Sequence, residues 1–304
     1  MDESKLQSNI QALREFIHSK GWTIVSEKEV QSGYQLVVTD GATRIPISLY
    51  SSGKALIQGK VSALQSELTS WWYGRTASST RNAAGKARIG LDESGKGDYF
   101  GPLVIGAVYV DEHTESRLIA LGVRDSKLLP DNRILTLAEE IKTICPCSGV
   151  AIEPKRYNEL YNKIHNLNIL LARAHAHALE SLLEKVSCDL AIADQFGNES
   201  LLLNALQEKG RKIKLEQRPR AEEDTAVAAA SILARAKFVQ QLEQLSQRVG
   251  KMLPKGAWDP SIVAIGHEIV AKYGQSMLAE VAKLHFKTTE TILQSPLFKE
   301  DHPS

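Results

Sequence analysis

A glycine-rich loop between two apolar, β-rich runs constrains the fold of this chain more than any other feature. The two runs are residues 87–91 and 103–110. Asp92 and Glu93 stand where the first run ends, and Gly95 and Gly97 follow them. Neighbouring residues of a strand point to opposite faces, so the two carboxylates converge only if the strand breaks there, and the glycines supply a break. Paired carboxylates at a strand end suit a hard cation such as Mg²⁺.

Further acidic residues occupy the ends of two other predicted elements. Asp194 follows an apolar strand, a place where open α/β sheets often carry active-site residues. Glu222, Glu223 and Asp224 precede an alanine-rich helix that begins at Thr225. Asp224 is a natural N-cap, a role that Asn also fills, whereas Glu222 lies before the cap and could face a metal. Three or four carboxylates from separate elements meet the requirement of two-metal phosphodiester hydrolysis.

The N-terminal part of the chain has the pattern of a small α+β unit. Helical spacing of apolar residues is followed by short β-rich runs and a second helix, closed by Gly74. The predicted elements are a helix through Leu6 and Ile17, strands at 22–26, 34–39, 44–50 and 55–58, and a helix at 61–73. We therefore expect a four-stranded antiparallel sheet with two helices.

The rest of the chain has the pattern of an α/β layered unit. Predicted strands at 149–152, 190–193 and 214–217 alternate with helices at 158–186, 225–245 and within 261–293. Between the two units, residues 75–87 are small, polar and basic and have no apolar periodicity, which is typical of a linker. The predicted domains are therefore 1–74 and 88–304.

Composition excludes several classes of protein. The 304 residues are 43% hydrophobic and 24% charged, unlike a disordered chain, a collagen or a coiled coil. No uncharged run approaches the roughly 20 residues of a membrane helix. Three cysteines do not make a disulfide framework, and no apolar signal core follows the acidic N-terminus. We expect a cytoplasmic protein with no membrane partner.

The near-neutral net charge of +1 hides a local excess of positive charge. Residues 41–88 carry seven basic side chains and one acidic one, so this segment is +6 and the remainder is −5. The basic residues are Arg44, Lys54, Lys60, Arg75, Arg81, Lys86 and Arg88. This local excess of positive charge indicates either a polyanionic partner or a solvated basic surface.

Several long motifs, in order, resemble the ribonuclease HIII family. They are the segment from Asp92 to Leu103, Asp125-Ser-Lys127, Asp194-Gln-Phe, Ala226 to Ile232, Leu253-Pro-Lys-Gly256 and Lys283-Leu-His-Phe-Lys287. The resemblance covers residues 88–290, and the small N-terminal unit is similar to the family's TATA-box-binding-protein-like domain. The sister ribonuclease HII group typically has Gly-Arg-Gly where this chain has Gly95-Lys-Gly97, and lacks the appended domain.

The resemblance implies a ribonuclease H-like catalytic domain that cuts the RNA strand of RNA–DNA hybrids and leaves 5′-phosphate and 3′-hydroxyl ends. It implies Mg²⁺ or Mn²⁺ as cofactor. No obligate protein partner is evident from the sequence, so we expect a monomer. It assigns metal binding and catalysis to Asp92, Glu93 and Asp194, and catalysis to a fourth carboxylate among 222–224, of which we choose Glu222. The substrate-binding residues that it implies are Gly95, Lys96, Gly97, Tyr99 and Lys127.

Two other functions remain open from the sequence. One is cleavage at single ribonucleotides embedded in DNA, as in ribonuclease HII, and the other is nucleic-acid binding without catalysis. Lys96 in place of Arg argues against the first, and the intact acidic residues argue against the second.

Some conspicuous side chains have a structural interpretation. His175 and His177 lie two apart on a predicted helix and so point in different directions, which favours a structural or surface role over a metal pair. Of Trp71, Trp72 and Tyr73, two are expected in the core, although aromatic side chains also stack on nucleic acid.

Overall fold

The computed structural model describes residues 3–31, 33–50, 55–59, 62–76, 86–123 and 129–294. The chain forms two compact units, Met1–Asn82 and Ala83–Ser304. Each unit has hydrophobic clusters of its own.

The first unit has the predicted four-stranded antiparallel sheet and two helices, and both helices lie on one face of the sheet. Its elements are α1 (Glu3–Ser19), β1 (Thr23–Val30), β2 (Gly33–Thr39), β3 (Arg44–Tyr50), β4 (Ala55–Ile57) and α2 (Ala63–Thr76), and the strand order is β1-β2-β3-β4. Leu36 and Ile47, paired across β2 and β3, are buried in one cluster with Leu13 of α1 and Trp72 of α2. Helix α2 runs past Gly74, because one glycine costs a helix only about 1 kcal/mol.

The aromatic residues at the end of α2 serve this core. Trp72 is buried, and the ring of Trp71 stacks on Phe16 with centroids 4.6 Å apart. The expectation that two of the three aromatic side chains pack in the core is confirmed, and the side chain of Tyr73 lies outside the described part of the structure.

The second unit is built on a mixed five-stranded sheet in the order β7-β6-β5-β8-β9. Its strands are β5 (Arg88–Ser94), β6 (Leu103–Val110), β7 (Cys147–Ile152), β8 (Leu190–Asp194) and β9 (Lys214–Arg218). Its helices are α3 (Glu112–Ala120), α4 (Asp131–Ile144), α5 (Pro154–Ile164), α6 (Leu167–Leu183), α7 (Glu199–Ala205), α8 (Thr225–Val249), α9 (Pro260–Tyr273), α10 (Gln275–Val281) and α11 (Lys287–Leu293). Strands β5, β6 and β7 are antiparallel neighbours, whereas β5, β8 and β9 run parallel.

Helix α8 lies directly on the sheet because two glycines face it. A Cβ atom on Gly90 would lie 2.0 Å from the carbonyl carbon of Ala226, and one on Gly106 would lie 2.4 Å from the carbonyl oxygen of Ala230. Helix α6 covers the opposite face, where its leucines and alanines share a cluster with Ile89 and Leu91. The central strand β5 is therefore covered on both sides.

One helical prediction is wrong, and three helices were missed. The predicted helix at 158–186 is two helices, α5 and α6, because His165 adopts a left-handed conformation (φ 49°) and Asn166 caps a new helix by accepting a hydrogen bond from the Ile169 amide. Helices α3, α4 and α7 were not predicted. In the described ranges no helix is both long and apolar enough to cross a membrane.

Candidate active site

The two aspartates at the strand ends lie side by side. Ile89 and Leu91 of β5 pair in parallel register with Ala191 and Ala193 of β8, so Asp92 and Asp194 follow at matching positions. Both strands run in the same direction, so both aspartates lie at carboxyl ends and on the face that carries α8. Ser231 of α8 hydrogen-bonds to the Asp92 carboxylate, and Asp194 Oδ1 accepts a bond of 3.2 Å from the Ala221 amide.

The surroundings of Asp92 disfavour its negative charge. Burial, then the charge of Glu93 and, more weakly, that of Asp194 raise the pKa of Asp92 to about 7, against the lowering effect of the Ser231 hydrogen bond. A carboxylate with a raised pKa beside a second carboxylate is a candidate functional group. Bound cations reverse such an effect, because they favour the ionised form.

Glu93 points to the opposite face of the sheet. Strand β5 continues through Ser94, so the break at Gly95 comes after Glu93 and does not turn it toward Asp92. Its Oε2 atom lies 3.1 Å from His175 Nε2 on α6, and its Oε1 atom lies 3.4 Å from Lys96 Nζ. Burial alone would raise the pKa of Glu93, but the hydrogen bond from His175 and the charge of Lys96 hold it below its ordinary value.

His175 is a site residue that the sequence analysis missed. Its side chain is fully buried, its ring stacks on Phe196 at 4.7 Å, and among the described residues Nδ1 has no hydrogen-bond partner. The tautomer with its proton on Nε2 fits this environment, since it donates to Glu93 and buries no unpaired N–H. His175 therefore holds one oxygen of Glu93, while His177 on the same helix is exposed.

The resemblance implies that Glu93 is a metal ligand of a nuclease, so we expect His175→Phe to lower the cleavage rate by about 10- to 100-fold, as is typical when a group that orients a metal ligand is removed. Phenylalanine keeps the ring that stacks on Phe196 but cannot donate to Glu93. The rate should be measured at saturating Mn²⁺, together with the Mn²⁺ concentration that gives half-maximal activity. His177→Phe is the control, and wild-type behaviour of the His175 variant would exclude this role.

The glycine-rich loop has one accessible glycine and one structural glycine. Gly95 is buried with φ +89°, and a Cβ atom there would lie 2.1 Å from the carbonyl oxygen of Pro102. Gly97 is exposed, and nothing lies within 4 Å of a Cβ atom built on it. Lys96, at 37% side-chain exposure, lies between Glu93 and solvent. A phosphate can therefore reach Gly97 and Lys96, whereas Gly95 serves the turn.

The prediction that Tyr99 contacts substrate is not supported. Its side chain is fully buried, its hydroxyl lies 3.1 Å from that of Thr289, and burial raises its pKa to about 12. The residue points into the protein because its ring packs between Phe100 and Phe286. Lys127, the other predicted substrate contact, lies outside the described residues.

The C-terminal motif around Lys283 holds this loop in place. Lys283 is fully buried and its Nζ donates to the carbonyl oxygens of Gly101 at 2.6 Å and Pro102 at 3.4 Å. Burial lowers the pKa of Lys283 to about 7. His285 packs against Tyr161 with centroids 4.4 Å apart, so the motif serves packing beside the loop.

Asp224 is occupied by structural partners. Its Oδ1 accepts from the Ala226 amide at 2.9 Å, which confirms the predicted N-cap. Its Oδ2 lies 2.8 Å from Nε of Arg88, a residue only 1% exposed that also bonds to Glu115. Arg88 therefore belongs to a buried ion-pair cluster and does not contribute to an accessible basic surface, although it was counted in that segment.

Glu222, the residue chosen as the fourth carboxylate, is next in sequence to a residue that contacts Asp194. It follows Ala221, whose amide contacts Asp194, in a short 3₁₀ turn at Ala221–Glu223, and it is half-buried, whereas Glu223 is exposed. The turn begins at Arg220, which has φ +58°. No hydrogen bond between Glu222 and another described side chain competes for its carboxylate.

The donor set fits a divalent cation, although the ligands are not gathered around one point. In the described ranges, no three acidic, histidine or cysteine side chains converge closely enough to hold a metal ion. The reason is that Glu93 faces α6 while Asp92 and Asp194 face α8. The available donors are carboxylate oxygens, which Mg²⁺ and Mn²⁺ prefer.

The mixed sheet carries acidic residues at the carboxyl ends of two adjacent parallel strands, as expected for a ribonuclease H-like fold. The family model described as Ribonuclease HII matches residues 89–289. The chain belongs to this family. It is similar to Ribonuclease HIII of Protochlamydia amoebophila, at 45% identity over 252 residues, which cover 81% of this chain and 83% of that protein. Ribonuclease HIII of Chlamydia trachomatis serovar D is 37% identical over 292 residues, 93% of this chain and 94% of that protein.

Comparison with solved structures supports the same family assignment. The crystal structure of Bst-RNase HIII in complex with Mn²⁺ superposes with a TM-score of 0.70 at 30% identity, covering 96% of this chain and 97% of that chain. Ribonuclease H2 from Pyrococcus horikoshii OT3 has a TM-score of 0.60 at 26% identity and covers 68% of this chain and 96% of that chain. The expected fold class and the resemblance to ribonuclease HIII are confirmed.

Proposed function

We propose that this protein is an endoribonuclease that hydrolyses the RNA strand of RNA–DNA hybrids and leaves 5′-phosphate and 3′-hydroxyl ends. The observation that carries the proposal is the pairing of Asp92 with Asp194 at matching carboxyl ends of parallel strands, in a chain of the ribonuclease HII family. The ribonucleases HIII that it resembles support the substrate class. We further propose a cytoplasmic monomer.

We propose Asp92, Glu93 and Asp194 as ligands of Mg²⁺ or Mn²⁺, the two aspartates from the α8 side of the strand ends and Glu93 from the α6 side, with Glu222 as a fourth catalytic carboxylate. The Mn²⁺ complex of Bst-RNase HIII supports a divalent cation. When bound, such ions activate a water and stabilise the leaving oxygen of a phosphodiester. The chain's own contribution is to orient the ligands, with Ser231 bonded to Asp92 and His175 bonded to Glu93.

The exposed part of the glycine-rich loop, Lys96 and Gly97, selects the substrate in this proposal. The backbone amide at Gly97 allows close approach of a phosphate or 2′-hydroxyl group, and Lys96 adds a positive charge. The 2′-hydroxyl is the group by which a protein separates RNA from DNA.

A comparison of substrates tests the proposal. The protein is incubated with a long RNA–DNA hybrid, and with a DNA duplex that contains one ribonucleotide, in Mg²⁺ and in Mn²⁺. We expect cleavage of the hybrid at several positions in the RNA strand. Cleavage of the second substrate alone would assign a ribonuclease HII-like activity, and cleavage of neither would assign a non-catalytic nucleic-acid-binding protein.

We also propose that the first unit, as a TATA-box-binding-protein-like domain, binds the hybrid with the sheet face opposite its helices. Lys28, Gln35, Ser48 and Leu56 form a row across β1, β2, β3 and β4 on that face. Gln35 Nε2 donates to Ser48 Oγ at 3.0 Å, and Lys28 and Leu56 are exposed. Lys28, Gln35 and Ser48 are polar, although Ser48 is buried, and the exposed Lys28 suits the phosphate backbone of a nucleic acid.

Removal of the first unit should weaken substrate binding without abolishing catalysis. Residues 83–304 keep their own hydrophobic clusters and all proposed metal ligands. We expect roughly tenfold weaker binding to the hybrid and a smaller salt dependence, since each lost phosphate contact reduces the slope of log affinity against log salt by about 0.9 for B-form DNA. Anisotropy titrations at several salt concentrations measure both. An unchanged affinity and slope would show that the first unit does not bind the substrate.

A further inference from the structure

The loop between α8 and α9 carries an aromatic side chain that is almost fully exposed to solvent. Trp258 is 88% exposed and Met252, on the same loop, is 85% exposed. Both side chains are almost wholly in contact with solvent, and exposed apolar surface is a common feature of binding sites.

The backbone that carries Trp258 is held on both sides. Leu253 and Ala257 are buried in the cluster beneath the loop, and Ala257 O accepts a hydrogen bond of 3.0 Å from Thr288 Oγ1. Asp259, the next residue after Trp258, caps α9 by accepting from the Ser261 amide at 2.8 Å. The indole therefore stands on a fixed backbone, which lowers the entropy cost of binding a ligand there.

The same loop is bonded to the glycine-rich loop of the site. The Tyr99 amide donates to Gly256 O at 2.8 Å, and the Gly256 amide donates to Asp98 Oδ1 at 2.7 Å. Trp258 is two residues beyond Gly256, and Gly97 is one residue before Asp98. Chain geometry therefore places Trp258 within roughly 20 Å of Gly97, which is less than one turn of a duplex.

We propose that Trp258 is a substrate-binding residue that packs against sugar and base edges of the hybrid duplex beside the cleavage site. This inference rests on the proposed function and extends it, since it adds an apolar contact to a site otherwise made of charges and backbone amides. The minor groove of an A-like duplex is wide and shallow and exposes such edges. Such a contact selects no sequence, as is also true of the stacking of single-stranded bases on aromatic side chains.

The test compares Trp258→Ala, Trp258→Phe and, as a control, Ile119→Ala, an exposed apolar residue on α3. Binding of a fluorescently labelled hybrid is measured with EDTA present, and KM and kcat are then measured with Mg²⁺. We expect Trp258→Ala to bind about tenfold more weakly and to raise KM at unchanged kcat. Trp258→Phe should keep most of the affinity, and Ile119→Ala all of it.

Intrinsic fluorescence gives a second measurement. Hybrid binding should quench the emission of the wild-type protein, and Trp258→Phe should remove most of that quenching although it still binds. Equal hybrid affinity of the wild type and Trp258→Ala would overturn the inference, as would a change in self-association alone. If the wild type itself neither binds nor cuts the hybrid, the proposed function fails instead.

Discussion

Asp92→Asn is expected to abolish cleavage while keeping binding of the hybrid. Asparagine preserves the shape of the side chain but removes the negative charge that a divalent cation requires. We expect the cleavage rate to fall by at least about 100-fold, because metal-assisted hydrolysis depends on that ligand. Hybrid affinity should stay the same or improve, since a negative charge near the phosphates is lost.

The same substitution should stabilise the metal-free protein above neutral pH. The pKa of Asp92 is raised from 3.8 to about 7 in the fold, so its favourable contribution is complete at low pH and is lost as pH rises toward 7. Asparagine does not ionise and escapes this loss. We expect a gain of about 1–3 kcal/mol in the free energy of unfolding at pH 8, vanishing near pH 4.

Denaturant unfolding in EDTA at the two pH values measures this gain, and a gel-based assay measures cleavage. Asp189→Asn is the matched control, because Asp189 is exposed and precedes β8 at the end of the strand opposite Asp194. Near-wild-type cleavage by Asp92→Asn at saturating Mg²⁺ would remove Asp92 from the site.

Of the three adjacent acidic residues at 222–224, we expect Glu222 to act in catalysis and Asp224 to stabilise the fold. Glu222→Gln is expected to lose most of the activity at unchanged stability. Asp224→Asn should instead lower the free energy of unfolding by about 2–4 kcal/mol, because it leaves the buried Arg88 with one fewer counter-ion. The sequence alone predicted a mild effect, since Asn also caps helices; the buried ion pair changes that expectation.

Cleavage rates and denaturant unfolding of both variants make this comparison, with Glu223→Gln as the exposed control. If Asp224→Asn removes activity at unchanged stability, the assignment of the fourth carboxylate to Glu222 is wrong.

Local sequence patterns predicted those site residues that lie at the ends of strands and helices. Asp92 and Asp194 each follow an apolar strand, and Asp224 precedes an alanine-rich helix, so their positions could be inferred from neighbours in sequence. The contacts between segments distant in sequence could not be inferred in this way. Arg88 meets Asp224 across 136 positions, and Glu93 meets His175 across 82.

A signal for His175 did exist in the sequence. Leu171, His175, Ala178 and Leu182 lie on one stripe of α6, and the other three are buried core residues. A histidine on such a stripe is buried and needs a polar partner, but periodicity does not say which one. The expectation for Tyr99 is not supported for a different reason. Its place in the motif implied contact with substrate, but its ring is buried in the fold.

Titration of Mn²⁺ into the metal-free protein by calorimetry tests the central claim, that the carboxylates at the ends of β5 and β8 share a divalent cation. The account predicts that the wild type binds Mn²⁺ without nucleic acid. It predicts that Asp92→Asn and Asp194→Asn each weaken binding about tenfold or more, while Asp189→Asn does not. Wild-type Mn²⁺ affinity in both the Asp92 and the Asp194 variants would contradict it.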